Sequence, residues 1–450
     1  MKAEHMAILK AVEGQEMVLQ GVKASGRLAG ALFELTVEQR YKNPTDKNLE
    51  VVYTFPLAWG AVLLGFEVTI AGKTLAGAVV EKKSAEERYE EALESGDTPI
   101  MLERAASGLY TVNFGNLKGG EEATVKYRYG QPVNIEQGRL RLTVPTVIAP
   151  RYGDPRESGM QPHQAPEHSL FVEYAFDIEL AIDPLPAAAT LSSPSHDIAV
   201  ERSDNAARVR LSQQAYLDRD FVLLVEGMAS GPAAAVLAAD GDTYVAMVSF
   251  CSPLTEDVAS LQPRALKLLV DCSGSMEGDS IEVAKRALHE VISRLHPEDR
   301  FSLTRFGSRH EHVFRKLQPA QGRYLEKARE ALASMGADLH GTEMESALVE
   351  TYQLKGPTEA ADILLITDGE IHATESLITQ AKRHGQRVFA VGVGSAPAEG
   401  FLRELAIATG GAAEFVSPGD DVEAATIRMM GRMRSPQAGD IAIEIGRAHV

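Results

Sequence analysis

LKLLVDCSGSMEG, Leu266 to Gly278, holds an abrupt change of pattern. Leu268, Leu269 and Val270 form an apolar run that ends at Asp271. Ser273 and Ser275 follow at two-residue steps, with Gly274 between them. Past Gly278 the spacing changes: Ile281, Ala284, Leu288, Val291, Ile292 and Leu295 recur at three- and four-residue intervals, the period of one helix face. The oxygen-bearing side chains therefore stand on a tight turn between a buried strand and a helix. In an open α/β sheet that is the end of the strand where ligands bind. One carboxylate and two hydroxyls converging there suit a hard divalent cation with oxygen ligands.

Two further stretches repeat the theme. Gly341-Thr342-Glu343 opens a helical stretch and offers another hydroxyl. ILLITDG, Ile363 to Gly369, is a second apolar strand that ends in Thr367 and Asp368. Strands expected at Lys267–Val270, Phe301–Arg305, Ile363–Thr367 and Arg387–Val393 alternate with helices expected at Ser280–Leu295, Gly322–Ser334, Glu343–Gln353, Thr374–His384 and Gly400–Thr409. Such alternation implies right-handed crossovers and a doubly wound, mostly parallel α/β sheet covered on both faces. Gly392-Val393-Gly394 reads as a turn at a strand end. These residues resemble the von Willebrand factor type A domain, whose metal-ion-dependent adhesion site follows D-x-S-x-S, then a distant Thr, then a distant Asp. The matching positions are Asp271, Ser273, Ser275, Thr342 and Asp368, with no departure. The resemblance implies a bound Mg²⁺, with Mn²⁺ or Ca²⁺ as alternatives, and a partner protein whose Asp or Glu fills the ion's open position. It also implies that Thr342 and Asp368 tune affinity by moving between direct and water-mediated contact with the ion.

At 450 residues the chain has room for about three domains. The 63 acidic residues outnumber 45 basic ones, a net charge of −18, which argues against nucleic acid or an anionic membrane as the main partner. Two cysteines, Cys251 and Cys272, make no disulfide framework, and a reducing compartment fits them better. Cys272, inside the metal loop, reads as a small buried side chain. No apolar run reaches the roughly 18 residues of a spanning helix, and the N-terminus lacks a signal-like apolar core, so a cytoplasmic location without membrane insertion is expected.

Residues up to about 148 read as β. Phe33, Leu35, Val37, Gln39 and Tyr41 alternate with Glu34, Thr36 and Glu38, and a turn follows at Asn43-Pro44-Thr45-Asp46. Similar short runs end at Pro56, Ile70, Phe114, Tyr129 and Val144, which indicates an all-β, sandwich-like domain. One amphipathic helix, Glu81 to Glu94, interrupts it and ends at Ser95-Gly96. Tyr41 and Asn43, Leu49-Glu50, Tyr53 to Leu57, Glu81-Lys82, Ala85, Tyr89 and Gly119-Gly120-Glu121 resemble the vault protein inter-alpha-trypsin (VIT) domain. The combination is similar to inter-alpha-trypsin inhibitor heavy chain-like proteins, which implies association with protein complexes. The expected organisation is a VIT domain over residues 1–152, a β extension and linker over 153–262, a type A domain over 263–435, and the start of a further β region, cut short, over 436–450. The linker is expected at Met228–Ala239, an exposed loop with His163 and His168 at Gly153–His168, and a strand at Ile441–Ile445.

Enzymatic readings find little support in the residues. Ser273 and Ser275 lack the G-x-S-x-G of a nucleophile elbow, and no G-x-x-x-x-G-K-[ST] phosphate loop is present. His340 is the one histidine close to the set in sequence. Glu343 and Glu370 stand beside the ligands as acids that tune the cation or repel a carboxylate. The expectation is a non-enzymatic, cation-dependent interaction module with the β domain as scaffold. A metal-dependent hydrolase is the alternative, as is a scaffold in which the ion only ties loops together.

Overall fold

The computed structural model describes residues 9–11, 18–78, 80–106, 109–136, 138–146, 151–152, 174–228, 233–250, 264–356, 361–371 and 374–434. In the N-terminal unit, strands β1 (Val18–Ala29), β2 (Leu32–Lys42), β3 (Leu49–Pro56) and β4 (Val62–Ile70) precede helix α1 (Lys82–Glu94). Then come β5 (Ile100–Ala106), β6 (Leu109–Leu117), β7 (Glu122–Pro132), β8 (Arg139–Val144), β9 (Ala175–Ile182), β10 (Ile198–Ser203), β11 (Ala206–Leu211) and β12 (Phe221–Glu226). The alternation in β2 does what its spacing predicts: Phe33, Leu35, Val37, Gln39 and Tyr41 are buried. The main sheet runs β10-β11-β9-β1-β2-β7-β4 and ends on the short strand Lys73–Ala76. Two smaller sheets cover it, one built on β3, β6 and β5, the other on β8 and β12. A continuous apolar core from Leu19 to Met228 fills the space between, with Phe55 of β3 stacked on Tyr127 of β7 at 4.3 Å. Strands β9 to β12 thus extend the sheets formed by β1 to β8 and share their core.

The motif residues of the β region meet at one corner. Asn43, fully buried, donates from Nδ2 to the carbonyls of Lys47, Leu117 and Lys118, while its backbone N–H donates to Glu121 O. Gly119 lies so close to Asp46 that a Cβ would sit 2.6 Å from its carbonyl carbon. Residues 233–239, expected in a linker, instead lie in β13 (Ala233–Asp240), paired with β14 (Thr243–Phe250) across Gly241-Asp242. Its small alanines look like linker composition, but backbone pairing over eight residues needs no bulk. The Gly153–His168 loop with its two histidines, Cys251 and the Ile441–Ile445 strand lie outside the described residues.

The C-terminal unit runs β15 (Ala265–Asp271), α2 (Asp279–Ser293), β16 (Arg300–Phe306), β17 (His310–His312), α3 (Gly322–Ala333), α4 (Met344–Gln353), β18 (Asp362–Thr367), α5 (Thr374–His384), β19 (Val388–Val393), α6 (Glu399–Ala408), β20 (Ala413–Val416) and α7 (Val422–Arg434). The sheet order is β17-β16-β15-β18-β19-β20, parallel except for the edge strand β17 and the short strand Gln318–Pro319 beside β16. Helices α2, α3 and α7 share one core with Leu266, Leu268 and Val270, and α4, α5 and α6 share another with Leu269 and Leu365. Burial on both faces explains why these strands read as unbroken apolar runs. Gly392 and Val393, expected in a turn, belong to β19, and the turn begins at Gly394, with φ +106°. The chain leaves β15 for β16 on one side and reaches β18 on the other, so the carboxyl ends of β15 and β18 flank a topological switch point.

Charged side chains join the two units. Glu414 of β20, buried, pairs with Arg428 at 2.6 Å, with Arg432 at 3.1 Å and with Arg139 of β8 at 3.4 Å. Arg141 of β8 reaches Asp420 at 2.9 Å and Ser417 at 3.1 Å. Arg403 of α6 lies over the rings of Trp59 and Phe415, from opposite units.

Candidate metal centre

Asp271, Ser273 and Ser275 occupy the turn that leaves β15, and Gly278 starts α2 with φ +84° and ψ −125°, a conformation open to glycine. The backbone stitches this turn to its neighbours. Cys272 N–H donates to Phe306 O at 2.7 Å, Leu339 N–H to Cys272 O at 2.9 Å, and Gly274 N–H to His340 O at 2.6 Å. His340 takes a left-handed φ of +60°, a cost of about 1–2 kcal/mol for a residue with a Cβ, at the point where the Thr342 loop meets the serine loop. That loop is held in turn by Gly341 N–H donating to Ser308 Oγ at 2.8 Å and Glu343 N–H to Gly307 O at 2.8 Å.

Four of the five expected side chains lie in one hydrogen-bonded run. Asp271 Oδ1 accepts from Ser273 N–H at 2.9 Å, Ser273 Oγ is 3.2 Å from Ser275 Oγ, and Ser275 Oγ donates to Asp368 Oδ1 at 2.7 Å. Asp368 is the first residue after β18, and its carbonyl accepts from Ala398 N–H at 3.2 Å. Thr342, the fifth, is buried, and its Oγ1 has no hydrogen-bond partner among the described residues. Thr367, outside the D-x-S-x-S pattern, donates from Oγ1 to Asp271 Oδ2 at 2.6 Å. Its only signal in sequence was a hydroxyl on the last residue of an apolar strand. Glu343 is exposed, and the side chain of Glu370 lies outside the described residues.

Burial pushes the Asp271 carboxyl above its ordinary range, opposed by the hydrogen bonds from Thr367 and Ser273. Its described hydrogen-bond donors are neutral groups. Cys272 between the ligands is buried, and burial pushes its thiol up to about 12, so it is inert as a nucleophile near neutral pH. A set of two carboxylates and three hydroxyls at one mouth, with one buried hydroxyl unpartnered, suits a hard cation in near-octahedral oxygen coordination.

The comparisons agree with this architecture. A family model for the vault protein inter-alpha-trypsin domain matches residues 19–129, and one for the von Willebrand factor type A domain matches residues 264–415. The human von Willebrand factor A domain-containing protein 5A is 26% identical over 475 aligned residues, covering 98% of this chain and 60% of that protein. A von Willebrand factor A domain-containing protein of Dictyostelium discoideum is 25% identical, over 91% of this chain and 44% of its own length. The mouse protein mono-ADP-ribosyltransferase PARP4 is 24% identical over 95% of this chain, a stretch that makes up 22% of that protein. The chain therefore spans about half the length of the curated relatives it matches. Among solved structures, a von Willebrand factor type A protein of Catenulispora acidiphila aligns over 55% of this chain and 48% of its own, with 16% identity and a TM-score of 0.34. The chain thus carries a region matching the VIT domain followed by one matching the von Willebrand factor type A domain.

Proposed function

We propose that the type A domain binds Mg²⁺, with Mn²⁺ or Ca²⁺ as alternatives, through Asp271, Ser273, Ser275, Thr342 and Asp368, and that the bound ion accepts an Asp or Glu of a partner protein. One observation carries this reading: a fully buried carboxylate met by neutral donors stands in the same turn system as a buried hydroxyl that has no partner. An isolated buried charge costs several kcal/mol, and an unpartnered hydroxyl about 1–3 kcal/mol. A divalent cation between them relieves both. With hydroxyls supplying three of the five ligands, the ion keeps positive charge and an affinity for one more carboxylate. The β unit serves as scaffold or as a second contact surface.

The reading is binding and not catalysis. Among the described residues, Ser275 is hydrogen-bonded to Ser273 and Asp368 and to no imidazole, and His340 is exposed and meets the turn only through its backbone carbonyl. A nucleophile with a general base is not assembled. The transferase activity named for the mouse relative belongs to a protein of which the matched part is 22%.

Calorimetric titration of Mg²⁺ into metal-stripped protein tests the site. One ion per chain is expected, lost in Asp368→Ala. Pull-downs with wild type and Asp271→Ala, each with Mg²⁺ and with EDTA, test the partner. Loss of a protein set with either change is expected, and an identical set in all four conditions overturns the adhesion reading.

A further inference from the structure

We propose a second cation site of a different chemical kind at the outer edge of the α/β sheet, where His310, His312 and Glu350 bind a zinc-class ion. Strand β17 is the antiparallel edge strand, and its two-residue spacing puts both imidazoles on one face. The two rings lie 5.3 Å apart. Helix α4 brings Glu350 to the same place, and one ligand atom from each of the three side chains lies within 4.8 Å of the others. Tetrahedral ligation at about 2.0–2.1 Å needs closer spacing, and the exposed Glu350 side chain is free to swing inward to provide it.

The support behind His312 points the same way. Thr304 of β16 is fully buried, and its Oγ1 lies 2.8 Å from His312 Nδ1. In the tautomer whose Nδ1–H donates to that hydroxyl, Nε2 keeps the lone pair for a metal, the arrangement by which ligating histidines are commonly oriented. Burial, with His310 and Arg315 nearby, holds the His312 ring below the ordinary histidine range, against the pull of Glu350. Two imidazoles and one carboxylate select borderline metals over Mg²⁺ and leave a position open for water or a further ligand. The oxygen-rich site at Asp271 has the opposite preference, so the two ions sort by chemistry. An ion here would tie α4 to the sheet edge, and Glu350 lies six residues, about 9 Å, along α4 from Met344, the helix that the Thr342 loop enters.

The test is a Zn²⁺ titration of the full chain in saturating Mg²⁺, which keeps the oxygen-ligand site filled. Co²⁺ in parallel supplies a visible absorption band reporting tetrahedral nitrogen and oxygen coordination. Wild type takes up one Zn²⁺ and develops that band. His310→Ala/His312→Ala lowers Zn²⁺ affinity by about 100-fold or more, and Thr304→Val, which removes only the oriented hydroxyl, lowers it by about 10-fold. Circular dichroism establishes that each variant is folded. Should the double variant not fold, Glu350→Gln on the exposed helix surface takes its place, with about a 10-fold loss expected. Wild type without Zn²⁺ uptake, or a folded His310→Ala/His312→Ala or Glu350→Gln chain that binds Zn²⁺ like wild type, overturns the proposal.

Discussion

Asp271 is a buried carboxyl whose described hydrogen-bond donors are neutral, and burial pushes its pKa up. Asp271→Asn keeps the shape, and its amide can accept from Ser273 N–H while donating to Thr367. The variant is expected to raise the melting temperature of metal-free protein by about 2–4 °C, because the desolvation cost disappears. It should also abolish the further rise expected of wild type with Mg²⁺. Differential scanning fluorimetry with EDTA and with Mg²⁺ reads both. Lys267, on the same strand, is another buried charge: Nζ donates to Tyr352 O at 2.8 Å and Gln386 Oε1 at 3.0 Å, and burial brings its pKa down to about 8. Between pH 8 and about 10.5 the unfolded chain holds a proton on this lysine that the folded chain has lost, so its contribution to stability rises with pH across that window and falls away as pH drops through 8. In urea melts, the stability of wild type relative to Lys267→Met is expected to climb from pH 8 to pH 10. A difference that stays flat would show that the lysine keeps its proton in the fold. The proposed ligands Asp271, Ser273, Ser275 and Asp368 were legible because each sits at or just past the end of an apolar run. Thr367 and Lys267 were not, since one hydroxyl and one amine inside apolar strands carry no period of their own.

Turns and strands differ in how plainly they announce themselves. Gly394 holds φ +106°, and a Cβ there would stand 2.7 Å from Ser280 Oγ and 3.8 Å from Asp368 Cβ. Gly411 is as crowded, with a Cβ 1.9 Å from Val388 O, but it lies at the other end of β19. Gly394→Ala and Gly411→Ala are each expected to cost about 1–3 kcal/mol in denaturant melts. Only Gly394→Ala, whose Cβ would push Ser280 in the first turn of α2, the helix that follows the Asp271–Ser275 turn, should also weaken Mg²⁺ binding in calorimetry. Equal Mg²⁺ affinities in the two would detach the start of α2 from the site. The α/β alternation could be read because helix and strand periods differ. Strand β1 could not: its inward positions are Val22, Ala24, Gly26 and Leu28, two of them too small to mark a face. Gly26 is small for a packing reason, since a Cβ would meet Leu35 Cδ1 at 2.7 Å and Leu180 Cδ2 at 3.0 Å. Helix α7 was equally silent, its buried Met429 and Met433 standing in a stretch rich in arginine.

At the scale of the molecule the two units meet through a buried cluster of opposite charges, which no linear pattern could reveal, because Arg139 and Glu414 are joined only by the fold. Removing one member of a buried ionic network leaves the others uncompensated, a loss of about 3–5 kcal/mol. Glu414→Gln takes the shared carboxylate from Arg139, Arg428 and Arg432 at once, leaving Glu226 to Arg139 and Glu136 to Arg432, so scanning calorimetry is expected to show a lowered transition that splits in two as the units uncouple. A single unshifted transition would mean that the cluster adds no coupling.

The place of β1 in the main sheet bears on how the chain is made. It pairs with β2 at once, but its other edge is covered by β9, where Val22 stands beside Phe176 and Leu28 beside Ile182. A ribosome adding about 5–20 residues per second needs on the order of ten seconds to deliver that partner after β1 has emerged. Until then the nascent chain shows an open strand edge, the kind of surface that chaperones shield and that aggregates recruit. A fragment ending at residue 152 would keep that edge for good, so an expression boundary placed after β12 gives the soluble N-terminal piece.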